Sequence, residues 1–435
     1  MPDARLLISL LTLFWIVTLP FILKRDLVFG AGYVMLFVYT IFTQIGYVSH
    51  PELSYAVGLY RGRVIFYQYW LFVFLSFLLT AGLFALVNPR RRTRYALCCG
   101  AHVQLGQIAL YAFAACYDLL LFCSYLLFQN SISYSMRASD VTGPLQLVLF
   151  LFQWHKILIL VLYAKTRILR PPEQVRAKAF DIALLTVTAL LHLLFALHMG
   201  ARGELVFICV GLSTMEIAKA KGFKLRHLRI LAPLAIVLGY GLTVLEYTRS
   251  VQPTVTVGAF LANISRPSAV FGMRDSAATQ IVANDYLWPS HLLITAMDSH
   301  EVDPGEVFQS NGANALMGLH YPYLSEILSR NMSTYIDRIN GFAFYILIEG
   351  YVAAGWGGVI YNAVLLNVMF AIWRTFSSSS DHLFNSAVLG LLATFAPAVI
   401  RAQSSWFVKD TWLFIFPGLI LLLLASGLRL RRGAG

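Results

Sequence analysis

The stretch FDIALLTVTALLHLLFALHMGARGELVFICVGLSTM, residues 180–215, decides how the chain is read. Each apolar run approaches the ~20 residues that carry a helix across the hydrocarbon of a bilayer. Between them lies HMGARGELV (198–206), with an arginine, a glutamate and two glycines packed into a tight turn. Such a turn marks a membrane boundary, and what Arg202 can do depends on which side that boundary faces.

The same alternation of long apolar runs and short charged turns fills the chain. It is 58% hydrophobic and only 12% charged, with a mean hydropathy of +0.69. A soluble domain of 435 residues has too little interior to hide that much apolar surface, so the expected class is an all-α polytopic integral membrane protein. Ten-residue strands of strict period-2 alternation are missing, which excludes an outer-membrane barrel. The expected spans are 6–23, 27–48, 64–87, 101–128, 144–164, 179–199, 203–218, 230–248, 345–373, 383–400 and 411–428, eleven in all. This divides the chain into spans 1–8 (1–248), one large loop (249–340) and the last three spans (341–435). Residues 6–23 lack an Ala-x-Ala-like cleavage site and read as a retained first helix. Cys98, Cys99, Cys116, Cys123 and Cys209 lie in or beside apolar segments, so neither a disulfide framework nor a metal cluster is implied.

The charges orient the spans. One set of connections holds 20 Lys+Arg, at Lys24/Arg25, 90–94, 165–178, 219–229, Arg374 and 429–432. The other holds 12, five of them in the 92-residue loop, and Lys156 lies within a span. Short loops carry the positive-inside signal and long translocated loops count little. The first set is therefore cytoplasmic, the N-terminus external, the C-terminus internal and Arg202 external. Most of the +12 net charge is this bias, so a nucleic-acid partner is not expected.

Of the 12 external bases, 11 are arginine. Arginine suits planar, bidentate recognition of phosphate and carboxylate. One precedes each span that enters from outside after the first: Arg61/Arg63, Arg137, Arg202, Arg338 and Arg401. Helix N-termini offer free N–H groups and a positive dipole end, which makes them anion sites. Taken singly, each arginine fits lipid headgroups or loop acids such as Asp140, Glu204 and Asp410; as a set they form a basin for a polyanion.

The polar, aromatic and proline content of loop 249–340, as in WPSH (288–291), DPGE (303–306) and HYPY (320–323), predicts short amphipathic helices and turns, and recurring apolar anchors argue against continuous disorder. Trp288, Tyr321 and Tyr323 fit either sugar stacking or interfacial anchoring. GFAFYILIEGYVAAGWGGVIYN (341–362) is glycine-rich with one acid, Glu349, and predicts a broken or re-entrant entry to the ninth span. Asp118 and Lys156 each lie near mid-membrane and are expected to pair, as a structural lock or as part of a proton relay. His155, His192 and His198 lack metal-ligand spacing and read as polar residues in helix contacts. Nucleotide-binding, zinc-protease and serine-hydrolase motifs are absent, and so are internal repeats, which leaves an inverted-repeat transporter without positive support.

Six pieces in order, SYSMRASDVTG (133–143), MGARGEL (199–205), LEYTRS (245–250), DYLWPSHLLITAMDS (285–299), IEGYVAAGWGGVIY (348–361) and VIRAQSSWFVKDTW (399–412), carry a resemblance. Together with eleven spans and a large loop before the last three, they resemble the O-antigen polymerases, the Wzy-type polymerases of lipid-linked repeat units. Residues 330–341 also fit an Arg-x10-Gly spacing, which is barely informative. The resemblance implies a GT-C-type glycosyltransferase of the bacterial inner membrane, with the large loop periplasmic. Its donor would be a growing glycan on undecaprenyl diphosphate, and its acceptor a new lipid-linked repeat unit. No cofactor and no metal are implied, and a polysaccharide co-polymerase regulating chain length is the expected protein partner.

The external arginines would hold the leaving diphosphate; the candidates are Arg137, Arg202, Arg249, Arg274 and Arg401, with Trp288 for the glycan. A general base within hydrogen-bond reach of the acceptor hydroxyl is sought among His291, His320, Glu349, Asp275 and Glu204, with preference for the loop histidines and Glu349. Glu204 reads as an orienting or capping partner of Arg202. The rival readings are an O-antigen ligase acting on lipid A core and a proton-coupled transporter using Asp118, Lys156 and Glu349.

Overall fold

The computed structural model of the chain describes residues 2–37, 63–87, 95–99, 103–129, 143–169, 179–199, 201–222, 224–251, 256–268, 297, 303–315, 324, 346–401, 404–426 and 428–432. Among these, seven helices are long and apolar enough to cross a membrane: Leu6–Arg25, Gly106–Phe128, Leu147–Ile168, Ala179–Met199, Ile346–Phe376, His382–Ile400 and Ser405–Ser426. Helices also stand at Leu27–Phe37, Arg63–Val87, Arg202–Lys219 and Leu225–Val251, where the other four spans are expected. Leu6, Leu10, Leu13, Val17 and Phe21 of the first helix are exposed. That stripe has no place in water and fits a lipid-facing surface.

The described chain divides into two compact units. The first comprises Met1–Arg90, Met273–Trp373 and Ala396–Asp410. Its N-terminal part is α1 (Pro2–Arg25), α2 (Leu27–Phe37) and α3 (Arg63–Val87). Between α1 and α2 the Asp26 carboxylate accepts the amides of Val28 and Phe29 at 3.0 and 3.1 Å. This N-cap satisfies two orphan donors and lets a new helix start at once. Phe29 then stacks on Phe84 with ring centroids 3.9 Å apart and meets Phe370 edge-on at 5.3 Å.

The second unit comprises Arg91–Gly272, Arg374–Phe395 and Thr411–Gly435. It contains β1 (Tyr95–Cys99), α4 (Val103–Phe128), α5 (Pro144–Tyr163), α6 (Ala179–His198), α7 (Arg202–Lys219), α8 (Leu225–Val251) and α9 (Val257–Ile264). A π turn, Ala164–Ile168, extends α5. Helix α9 is one of the short loop helices expected from sequence; its Thr256 cap accepts the Ala259 amide at 3.1 Å. Another is α10 (Pro304–Ala315), in the first unit.

Toward the end of the chain come α11 (Ile346–Phe376), α12 (His382–Arg401) and α13 (Ser405–Asp410). A π turn (Thr411–Ile415) then leads into α14 (Phe416–Ser426), so the last span begins near Ser405 and not at 411. Pro417 explains the irregularity. It has no N–H to give the Leu413 carbonyl, and the Trp154 indole donates to that carbonyl instead, at 2.9 Å. After α14, β2 (Leu428–Arg432) pairs antiparallel with β1. This two-stranded ribbon lies outside the all-helical expectation. It joins by backbone hydrogen bonds the apolar stretch that follows the basic run 90–94 to the basic stretch 428–432, runs that the charge pattern assigns to one side of the membrane.

Helix α11 is not a straight rod. Ala354 and Gly355 leave helical geometry, Gly355 with φ of 56°, a left-handed conformation that glycine adopts without steric penalty. Asn362 donates to the Ile346 carbonyl at 2.7 Å, although sixteen residues of continuous helix would span about 24 Å. Gly350 and Gly358 touch backbone to backbone, so a Cβ on either would strike the other's carbonyl. The segment is a hairpin: a short arm, 346–353, buried at 346–350, folded against the longer helix that follows. Of the expected broken or re-entrant entry the break is present, and the glycines are what allow its arms to meet.

Candidate functional site

The candidate residues are placed unequally. Arg137, Arg274, Trp288, His291 and His320 lie outside the described residues, as does Asp275. Arg202, Arg249 and Arg401 are located through their backbone. Arg202 opens α7, whose N-cap residue, Ala201, makes no side-chain cap. The first-turn amides of α7 thus receive no cap from that position, as an anion-binding helix start requires. Arg249 and Arg401 stand instead at the C-terminal ends of α8 and α12. There the helix dipole already favours a cation, so these arginines do not share an anion with the N-terminus of their own helix.

Glu349 is a candidate whose side-chain hydrogen bonds are described. It sits on the short arm of the hairpin, 4% exposed. Ser404 donates twice, through its amide to Oε2 and its hydroxyl to Oε1, each at 2.7 Å. The Asn311 side-chain amide, on loop helix α10, donates to Oε1 as well. An isolated carboxylate in such a place would cost several kcal/mol; three donors make it tenable. Asp303 caps α10 by accepting the Gly305 amide at 2.9 Å, with Pro304 at the first helical position. On α10, Val307 and Ser310 are buried while Phe308 is 80% exposed, so the face bearing Asn311 is the one that packs. Three stretches far apart in sequence therefore converge: the loop helix, the glycine-rich hairpin and the turn after Arg401.

The second unit holds a separate set of buried polar groups, and here the expected pairing fails. Asp118 does not bond Lys156. Its Oδ1 meets His155 Nε2 at 2.7 Å and its Oδ2 accepts the Thr188 hydroxyl at 2.7 Å. Lys156 donates to Glu204 at 3.0 Å, with Phe395 and Phe414 rings 4.9 and 5.8 Å from its ammonium. The reason is helical periodicity. Neighbouring residues point about 100° apart, so His155 faces α4 and α6 while Lys156 turns to α7. Glu204 is accordingly a partner of Lys156; the Arg202 side chain, which it is expected to orient, lies outside the described residues.

His155 also meets His192, Nδ1 to Nδ1 at 3.4 Å. His198 bonds the Gln129 carbonyl at 2.8 Å. Tyr117 stacks on His155 and Phe152 on His192, and the three histidines lie in helix contacts as expected. Farther along α5, Lys165 lies 3.6 Å from Asp181, with the Tyr111 hydroxyl bonded to both. A lysine counted with the cytoplasmic loop is thus buried in an ion pair.

Sequence reading missed Asn311, Ser404 and Thr188. Each is a common small polar residue whose partner lies 38, 55 or 70 positions away, and no local spacing flags such a contact. No family model, curated protein or solved structure matches the chain.

Proposed function

We propose that the chain is a glycosyltransferase of the GT-C type, with eleven transmembrane helices, that polymerises undecaprenyl-diphosphate-linked oligosaccharide repeat units. The reaction takes place on the periplasmic face of the bacterial inner membrane, for O-antigen or a related surface polysaccharide. One observation carries most of the support: Glu349 ties together the hairpin 348–361 and the turn within 399–412, two of the stretches that bear the resemblance, with a helix of the large loop. Segments that look unrelated in sequence meet at one carboxylate.

In this reaction the acceptor hydroxyl attacks the anomeric carbon of the donor glycan. The bond from that carbon to the diphosphate oxygen breaks, and the hydroxyl proton passes to a general base. Charge grows on the leaving diphosphate, and Arg137, Arg202, Arg249, Arg274 and Arg401 supply the donors that stabilise it without a metal. Glu349 already accepts three hydrogen bonds, from the loop helix and the Ser404 turn. We assign it to positioning: it fixes the Ser404 turn three residues after Arg401 and the loop helix above. The base then falls to His291 or His320, and Trp288 stacks on sugar.

The test is substitution. Arg202→Ala, Arg249→Ala and Arg401→Ala should each abolish polymer formation in membranes while the protein still inserts. A transporter driven by the acids of the membrane interior predicts the reverse: Asp118→Asn abolishes function, and changes in loop 249–340 are tolerated. Retained polymer formation in all three arginine variants would remove the proposal.

A further inference from the structure

The polar row of the second unit has a composition that the proposed reaction leaves unused. Asp118 on α4, His155 on α5 and His192 on α6 are 7%, 0% and 1% exposed. The facing groups are Thr188, which donates to Asp118, Tyr117, which stacks on His155, and the Lys156–Glu204 pair, which is neutral as a unit. Among the described residues the cation near the row, Lys156, is already paired with Glu204. With both imidazoles neutral, the row would hold one uncompensated carboxylate among membrane helices, a costly state. One added proton makes it neutral.

The hydrogen bonds say where that proton can reside. His155 Nε2–H donates to Asp118, and a second proton on His155 Nδ1 points at His192 Nδ1, 3.4 Å away. Moving it breaks one N–H bond on His155 and forms one on His192, with no other change in the row. The far nitrogen of His192, Nε2, is buried and has no hydrogen-bond partner among the described residues. It is the open end of the row. A metal ion is a poor occupant, because the Asp118 oxygen and the His155 nitrogens are directed at each other and at His192 and not at a common point; among the described residues no metal-binding group of three is formed.

We propose that Asp118, His155 and His192 form an intramembrane proton-binding site, in which a single proton is shared between the two imidazoles opposite the Asp118 carboxylate. The site is independent of the glycosyltransferase proposal, and its test does not use polymer formation.

Full-length protein with 15N-labelled histidine, in lipid nanodiscs, is measured by nitrogen NMR at neutral pH. His155→Gln and His192→Gln assign the two rings. The wild type should show one imidazolium shared by the pair. Asp118→Asn, which keeps the shape and removes the charge, should abolish that signal while helical content and size-exclusion behaviour stay unchanged. Two neutral rings in the wild type, or an imidazolium that survives Asp118→Asn, would overturn the proposal. If the variant does not insert, wild-type titration decides. Loss of one imidazolium from the pair on going to alkaline pH supports the site, and a pair already neutral at pH ~6, near the ordinary histidine value, overturns it.

Discussion

Replacing Glu349 by alanine should free the loop helix α10 from the hairpin. Asn311 loses its bond to the carboxylate, and the Ser404 amide and hydroxyl lose theirs. A hydrogen bond to a charged group contributes about 1.5–3 kcal/mol, and a buried donor left unsatisfied costs a similar amount. For α10 the relevant loss is the Asn311 bond alone. Each 1.4 kcal/mol is about tenfold in an opening equilibrium, so amide exchange across residues 304–315 should quicken by roughly 10- to 100-fold. Hydrogen exchange read by mass spectrometry on the purified protein in nanodiscs gives that number directly. Glu349→Gln keeps an acceptor and should quicken exchange less. Exchange in 304–315 that stays within about twofold of wild type in Glu349→Ala would refute the claim that this carboxylate holds the loop helix.

Other substitutions probe the remaining contacts. Lys156→Met or Glu204→Met alone leaves a charge without its partner in a largely buried site and should destabilise by about 3 kcal/mol, read as a lowered midpoint of thermal unfolding. The double variant should regain most of the loss, and a double variant worse than either single one would contradict the pairing. Gly358→Val sets a branched side chain against the Gly350 backbone and should abolish recovery of folded protein from detergent, whereas Gly82→Ala, where nothing lies within 4 Å, should leave it unchanged. Trp154→Phe removes the donor to the Leu413 carbonyl, freed by Pro417, and should cost about 1–3 kcal/mol; an unchanged unfolding midpoint counts against that explanation of the π turn.

Hydropathy made the membrane class legible, because a helix in lipid must present apolar side chains all along its length. Glycine spacing around Glu349 made the break in this segment legible for a similar reason: a lone acid in an apolar segment needs donors, and a helix must break to bring them. What the sequence hid was partner choice. Asp118 and Lys156 lie at matching depths in consecutive helices, yet a rotation of one residue along α5 hands Asp118 to His155 and Lys156 to Glu204. Depth follows from counting residues, while azimuth depends on how each helix is turned against its neighbours. The ribbon joining 95–99 to 428–432 was hidden too, since charged and short apolar segments give no pairing signal across more than 300 residues. Arg202 stands at the start of α7, as the dipole argument needs, whereas Arg401 ends α12; an arginine between two spans does not reveal to which helix it belongs.

The decisive measurement is reconstitution of the purified protein with an undecaprenyl-diphosphate-linked oligosaccharide as both donor and acceptor, with and without added lipid A core. A polymerase yields a ladder of products, each longer by one repeat unit, in the absence of lipid A core. Transfer only when lipid A core is present would make the chain a ligase, and no product with either acceptor would contradict both.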